Sequence, residues 1–362
     1  MKRYQRQMLL PEIGESGQQT LLSSKVLIVG AGGLGHPVLQ YLVAMGVGQV
    51  GIMDGDLVDE SNLHRQVLFS ARDIGRNKAD CLKDHFSCRD EVTKIISYPY
   101  FANKKTALEV FPDYDLIVDG TDNFQAKFLI NDVCCFLKIP MAFGSISQFE
   151  GQASVFWRGH GPCYRCLVPE IPKARIQSCA EAGVVGALPG AIGCTQSLEV
   201  LKVLLNMKTE GRKLPTLSGR LQVFDFLEGF ARTLTVPIRP SCGCQKSAFF
   251  VSDISEVKVG HEDCSMGAEI QGLLLDVREP VEWDAFHIDG SLHWPLSRME
   301  VGEIPNQLLG KRLTAVCVSG SRAARAADIL NEHGFAIGFT RRSIYGFENW
   351  NQKKGATDAS GI

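Results

Sequence analysis

The sequence predicts an α/β fold in two parts: a mixed sheet that is mostly parallel in its first half, then a second, smaller α/β unit. Three observations predict it. Short aliphatic and β-branched runs alternate with helical patterns from residue 25 to residue 138, as parallel strands joined by crossover helices require. A G-x-G-x-x-G turn, Gly30, Gly32 and Gly35, stands between the first strand and the first long helix, where a Rossmann-like sheet carries it. A stretch with little periodicity, 245–267, is followed by a fresh strand and helix pattern, and 362 residues exceed one ordinary core.

Taken in order, residues 1–24 read as a helical arm with Arg3 and Arg6 near its start. Lys25–Val29 is aliphatic on both faces, as a buried parallel strand must be. An apolar helix pattern follows over 36–46, then strand Val50–Met53 and a helix over about 76–87. Thr93–Ser97 and Asp115–Asp119 read as further strands, each followed by a helix pattern, over 103–111 and 124–138. From Met141 the pattern changes. Gln152–Trp157, Leu221–Phe226 and Arg232–Val236 read as strands joined by loops, antiparallel additions to one end of the sheet. Between them lie a loop-like stretch, Pro169–Gly183, and a long apolar helix pattern, Pro189–Met207. The expected boundaries are a first domain over 1–245, a linker over 246–266 and a second domain over 267–356. In the last, GLLLDVRE, GSLHWPLS and LTAVCVSGS precede a helix over Arg322–His333 and a terminal GFENW.

Hydrophobic content of 45% with 22% charged residues is ordinary for a globular protein. A net charge of −2 argues against nucleic acid and membrane surfaces as partners. The apolar run near the start is too short for a signal peptide, and no stretch is long enough to span a bilayer. The expectation is a cytoplasmic protein whose twelve cysteines are metal ligands, reactive thiols or core residues rather than a disulfide framework.

The glycine turn points to a nucleotide. Its first glycine permits the tight turn, the second lets a phosphate approach, and the third packs helix on strand. Gly33 belongs to the same turn. Asp54, ending the second strand, stands where an acid reaches a ribose hydroxyl. Asp56, Asn62, Arg65, Gln66, Lys78 and Asp122 follow at strand ends or behind them. Arg65 and Lys78 suit a triphosphate, and Asp122 suits Mg²⁺, a hard cation held by carboxylates and phosphates. Singly, these charges read as a solvated surface; together, behind a glycine turn, they read as a site. Cys163 and Cys166 in CYRC, with Cys242 and Cys244 in CGC, suggest a tetrahedral structural Zn²⁺ site, or else four separate reduced thiols. Cys179 sits in a loop where a thiol is accessible, unless it is simply packed. In the second domain Cys317 opens a loop running into a helix, where loop amides favour a thiolate or persulfide anion, and Arg322 closes that loop with positive charge. Asp276 and Arg278 are expected to hold the fold together, and His287 and His293 to be structural.

RYQRQ, GAGGLG, MDGDLVDESNLHRQ, GRNKAD, GTDN, CYRC and CAEAGV, in that order over about residues 1–245, closely resemble the ubiquitin-activating-like enzymes of the MoeB/ThiF type. LLLDVREPVEWDAFHIDGSLHWPLS, CVSGSRAARAADIL and YGFENW resemble a rhodanese sulfurtransferase domain. The resemblance implies ATP- and Mg²⁺-dependent adenylation of the C-terminal glycine, in a Gly-Gly tail, of a ubiquitin-like sulfur carrier protein. It implies that Arg65 and Lys78 bind phosphates, Asp122 holds Mg²⁺ and Asp54 takes the ribose. Arg6 would reach the site of a neighbouring subunit, hence a homodimer. Cys179 would form a covalent link to the carrier or resolve a disulfide. The CGC pair departs from the family's usual CxxC. A persulfide on Cys317, loaded by a cysteine desulfurase or thiosulfate, would supply the sulfur. Two other readings are an NAD-dependent oxidoreductase, resting on the glycine turn and Asp54 alone, and a non-catalytic binding or redox scaffold.

Overall fold

The computed structural model describes residues 2–88, 92–171, 183–208, 213–246, 249, 251–254, 272–285, 287–317 and 321–339. The chain forms two compact units, residues 1–262 and 263–362.

In the first unit an N-terminal arm, with α1 (Gln5–Met8) and α2 (Gly14–Leu22), leads into β1 (Lys25–Val29). Then come α3 (Gly35–Met45), β2 (Gln49–Met53), α4 (Lys78–Ser87), β3 (Lys94–Tyr98) and α5 (Lys104–Val110). They are followed by β4 (Leu116–Asp119), α6 (Phe124–Leu137), β5 (Met141–Ser147) and β6 (Glu150–Phe156). The short α7 (Tyr164–Leu167), the long α8 (Ala187–Lys208), β7 (Arg220–Asp225) and β8 (Phe230–Thr235) complete the order. The eight strands lie in the order β3-β2-β1-β4-β5-β6-β7-β8. The first five run parallel, and β6, β7 and β8 are added antiparallel at one end. The expected parallel half and antiparallel extension are both present. β5 went unrecognised in the sequence, and it is the hinge of the design: parallel to β4 on one side, antiparallel to β6 on the other.

Alternation along the central strands makes the two cores. Val26 and Ile28 of β1 join one cluster with Val38, Leu42 and Val50, while Leu27 and Val29 join the other with Phe111, Ile117 and Phe128. A strand buried on both faces needs this unbroken aliphatic run. The helices start on side-chain caps where the sequence offers them: Asn77 caps α4, Asn103 caps α5 and Asn123 caps α6.

The parallel strands aim their carboxyl ends at one edge, and three glycines let the backbone close up there. Gly30 has φ +100°, and a Cβ on it would lie 2.7 Å from the Gly120 carbonyl carbon. A Cβ on Gly35 would lie 2.2 Å from the Gly30 oxygen. So the turn after β1 is pressed between the turn after β4 and the start of α3.

The second unit has four parallel strands in the order β10-β9-β11-β12: β9 (Leu273–Asp276), β10 (Leu292–His293), β11 (Arg312–Val316) and β12 (Ala336–Phe339). Helices α9 (Pro280–Ala285), α10 (Leu296–Glu300) and α11 (Ser321–Glu332) accompany them. Leu275, Ala315, Cys317, Ala323, Ala327 and Leu330 are buried in its core. β12 and α9 were not read from the sequence, and the expected linker and terminal GFENW fall largely outside the described residues. Among those residues no helix is long and apolar enough to cross a membrane.

Gly35→Ala is expected to lower stability by about 1–3 kcal/mol, the usual range for overpacking a tight site, because the new methyl meets backbone oxygen. Denaturant unfolding of wild type and variant checks this, with Gly75→Ala, in open space but at φ +84°, separating conformational strain from collision.

Candidate functional site

Around the pressed turn the side chains converge. Both Asp54 oxygens are in use: Oδ2 accepts from the Ala31 amide at 2.7 Å and Oδ1 from the Asp56 amide at 2.8 Å. Each carboxylate oxygen can accept a second bond, so these contacts orient the acid without filling it. Burial pushes the Asp54 carboxyl up, against the pull of Lys78. The Lys78 ammonium is itself buried and lies 3.0 Å from Asp56 Oδ2. Burial works against its charge, but Asp54, Asp56 and Asp122 outweigh it and the net shift is upward. Lys78 is therefore a buried cation facing three carboxylates.

The segment between β2 and α4 supplies the next group. Arg65 is half-buried, and its guanidinium donates to the Ser61 carbonyl at 3.0 Å and to Asn62 Oδ1 at 2.7 Å. Gln66 donates to the same Asn62 oxygen at 3.1 Å, and its own Oε1 is buried with no partner. A Cβ on Gly32 would stand 3.9 Å from the Gln66 amide nitrogen, and one on Gly33 would press on Pro189. Thus Gly30, Gly32, Gly33, Gly35, Asp54, Asp56, Asn62, Arg65, Gln66 and Lys78 gather around one turn. Asp122 is exposed and lies within electrostatic reach of Lys78. Arg6 is exposed on α1 and does not join this group. Cys179 falls outside the described residues.

Two residues that sequence reasoning missed hold the site from beneath. Lys127, buried on α6, donates to Asp119 Oδ2, the Thr121 carbonyl and the Gly144 carbonyl, each at 2.8 Å. Asp119 Oδ1 in turn accepts from the Thr121 amide and hydroxyl. This ion pair fixes the turn that carries Asp122. A lysine three residues into a helix is ordinary in sequence, so only the buried acid ending β4 signalled it. His36, next to Gly35, is fully buried and takes the Leu68 amide on Nδ1 at 3.1 Å. Burial, with Lys78 nearby, pushes it down to about 3, so the ring is neutral and Nε2 carries the hydrogen.

Cys163, Cys166, Cys242 and Cys244 come together as their pairing suggests. Their sulfurs all lie within 4.8 Å of one another, with Cys163–Cys242 at 3.5 Å and Cys166–Cys244 at 3.6 Å. A tetrahedral zinc with bonds of about 2.3 Å separates its sulfurs by about 3.8 Å, so the donor set and spacing fit. The Arg239 amide donates to Cys166 Sγ at 3.4 Å and the Gln245 amide group to Cys244 Sγ at 3.5 Å. Such outer donors suit thiolates. The C-x-C spacing therefore does not prevent closure of the quartet.

In the second unit Cys317 follows β11, fully buried, with the Ala323 amide of α11 donating to its sulfur at 3.4 Å. Helix amides aimed at a sulfur stabilise its anion. Arg322, on the first turn of α11, has an acidic partner that the sequence did not reveal. Its guanidinium is held in a fork by Glu282, at 2.5 and 2.8 Å, so its charge is already countered rather than simply added to the loop. The Arg322 bonds hold Glu282 below its ordinary value. Asp276 and Arg278 form a fully buried ion pair, as expected of fold-holding residues. His293 bonds the Arg278 carbonyl, and both His287 and His293 stack on Trp283.

Comparison with known proteins covers both units. The model of the ThiF family matches residues 4–246, and that of the rhodanese-like domain matches 261–353. The probable adenylyltransferase/sulfurtransferase MoeZ of Mycobacterium tuberculosis is 37% identical over 356 residues, covering 92% of this chain and 89% of that protein. The sulfur carrier protein adenylyltransferase of Thermus thermophilus is 45% identical over 248 residues, 67% of this chain and 89% of its own length. Mouse adenylyltransferase and sulfurtransferase MOCS3 is 35% identical over 338 residues, 86% of this chain and 72% of its own. Among solved structures, E. coli MccB with MccA-N7isoASN superposes with TM-score 0.57 at 21% identity, covering 66% of this chain and 73% of that one. That last likeness is one of fold.

The Glu282–Arg322 fork carries a pH signature. A depressed carboxyl contributes stability above its unfolded value of 4.5, and the contribution fades as pH falls through the folded value. Glu282→Gln is expected to melt lower than wild type at neutral pH, with the gap narrowing steadily below pH 4.5. Thermal unfolding across a pH series reads it; a gap independent of pH would place the fork's effect elsewhere.

Proposed function

The chain belongs to the ThiF family and carries a rhodanese-like domain; from that premise we propose that it adenylates the C-terminal glycine of a ubiquitin-like sulfur carrier protein and then converts it to a thiocarboxylate. The chain is an enzyme of two activities, an adenylyltransferase assigned to residues 1–245 and a sulfurtransferase assigned to 267–356. The observation that carries this reading is the joint presence, in one chain, of a glycine turn bordered by a buried lysine and a buried cysteine whose sulfur accepts a helix amide. Relatives that match 92% and 86% of this chain are named for both activities.

In the first step the carrier's carboxylate oxygen attacks the α-phosphorus of ATP, and pyrophosphate leaves. A carboxylate is a weak nucleophile, so the demand is positioning and charge neutralisation. Lys78 and Arg65 would meet the phosphates. Asp54 would accept the ribose hydroxyls on its remaining lone pairs, and Gly32 leaves room for a phosphate. Asp122, exposed at the turn held by Lys127, would hold Mg²⁺, which supplies further positive charge beside the phosphates. Arg6 would come from the second subunit of a homodimer. The four cysteines would hold a structural Zn²⁺ that clamps the segment after β8 to the turn after β6.

In the second step the terminal sulfur of a Cys317 persulfide attacks the acyl carbon and AMP leaves, giving an acyl disulfide. A thiol, Cys179 or an external reductant, then attacks the Cys317 sulfur. The S–S bond breaks, the carrier leaves as thiocarboxylate, and a new disulfide forms at Cys317. A cysteine desulfurase or thiosulfate loads Cys317. The setting is cytoplasmic. The oxidoreductase and scaffold alternatives find no support in the names of the three relatives, all of which state adenylyl transfer and two of which also state sulfur transfer.

Carrier-dependent exchange of labelled pyrophosphate into ATP tests the first step. Arg65→Ala and Asp122→Ala are expected to lower it by about 100-fold or more, the usual scale for removing a charge-stabilising group. Cys317→Ala should leave exchange intact while abolishing the mass gain of oxygen-to-sulfur replacement on the carrier. Full thiocarboxylate formation by Asp122→Ala, or exchange lost with Cys317→Ala, would overturn the assignment.

A further inference from the structure

His36 is tied at both of its ends. Its amide, in the first turn of α3, donates to the Gly32 carbonyl at 3.2 Å, so its backbone helps to close the glycine turn. Its ring takes the Leu68 amide on Nδ1 at 3.1 Å and stands edge-on to Phe69, with ring centroids 4.5 Å apart. The side chain is fully buried. Burying an imidazole strips water from its nitrogens at a cost that an apolar side chain of similar size would not incur. Packing alone therefore does not call for histidine here; an acceptor for the Leu68 amide does.

The segment on the far side of that bond carries Arg65 and Gln66. The Asn62 carbonyl accepts the Arg65 amide at 3.0 Å and the Gln66 amide at 2.9 Å, and the Gln66 carbonyl accepts the Phe69 amide at 3.1 Å. Asn62 Oδ1 takes both the Arg65 guanidinium and the Gln66 amide group. All of these bonds lie within residues 62–69. They fix the shape of the segment, but not where it lies over the glycine turn. Its placement comes from its flanks: the His64 carbonyl presses on Gly186, where a Cβ would come within 2.1 Å, and the Leu68 amide hangs on His36. One residue thus holds the glycine turn by its amide and the Arg65–Gln66 segment by its ring.

We propose that His36 is a positioning residue for the nucleotide: by accepting the Leu68 amide, its ring sets Arg65 and Gln66 at their working distance from the glycine turn. The proposal rests on the reading of that turn as the ATP site. His36 touches no phosphate itself and acts through Leu68. What it supplies is a lone pair at the place of Nδ1. Asparagine, whose Oδ1 stands as far along the side chain as Nδ1, can supply the same acceptor. Leucine supplies none, and glutamine carries its oxygen one bond too far.

The test uses the full chain, with MgATP binding by titration calorimetry and the ATP dependence of pyrophosphate exchange. His36→Leu and His36→Gln are expected to weaken MgATP binding and raise the ATP KM by about tenfold, the scale of one buried hydrogen bond left unmade, with kcat moved far less. His36→Asn should recover most of the loss. In an Arg65→Ala background His36→Leu should add less than about twofold, since two sites acting through one contact are not additive. Equal losses in His36→Asn and His36→Leu, or the full loss persisting without Arg65, would show a packing role and overturn the proposal. So would failure of both His36→Leu and His36→Gln to fold. If wild type binds MgATP but shows no carrier-dependent exchange, the carrier reading fails while the binding series still decides the role of His36. If wild type binds no MgATP, both fall together.

Discussion

The close approach of two backbones, Gly30 after β1 and Gly120 after β4, is the constraint on which the first unit depends. A Cβ on either glycine would lie within 2.7 Å of the other strand's turn. Because no side chain intervenes, the turn after β1 sits low enough for Asp54 to reach the Ala31 amide. Because Gly35 passes over the Gly30 oxygen, α3 starts directly above the sheet edge. Moving the Gly30 turn by the width of a methyl group would pull the Ala31 amide from Asp54, while Lys78 is tied to the Asp54–Asp56 segment separately, through its own amide and the Asn77 side chain.

Local pattern made much of this legible. The glycine turn, the aliphatic run of β1 and the asparagine caps all act within a few residues, and the parallel half of the sheet follows from them. What stayed hidden acts over distance or through weak local signals. β5, MAFGSIS, mixes glycine and serine into a strand because Gly144 must pass against Gln196 of α8, a demand set by a helix some fifty residues later in the chain. The Glu282–Arg322 fork joins residues 40 apart, so the sequence shows two unrelated charges. Arg322 accordingly read as added positive charge on the Cys317 loop, whereas its partner was invisible. The cysteine quartet was legible as two pairs because the members of each pair lie within three residues of one another.

The two units solve one problem in two ways. Each ends a central strand with a buried aspartate, Asp119 on β4 and Asp276 on β9, and each pairs it with a buried cation. Desolvating such a pair costs several kcal/mol per ion, so the pair is weak as a source of stability. Removing one partner is far worse, which makes the geometry obligatory once formed. In the second unit the cation, Arg278, lies two residues away, and the pair braces its own turn. In the first, Lys127 comes from the next helix and spans Asp119, Thr121 and Gly144, so it couples β4, the Asp122 turn and β5.

That allocation decides which charges are left to meet an anion. Lys127 is committed to three oxygens and gives nothing to the crevice. Lys78 is also buried, but its close ion-pair partner, Asp56, is 54% exposed, and an exposed carboxylate loses little by turning into water. An anion reaching Lys78 would therefore displace Asp56 at small cost, while Asp54 stays held by two amides. The turn is rigid at Asp54 and yielding at Asp56, and the difference follows from which of two neighbouring aspartates is bound by backbone.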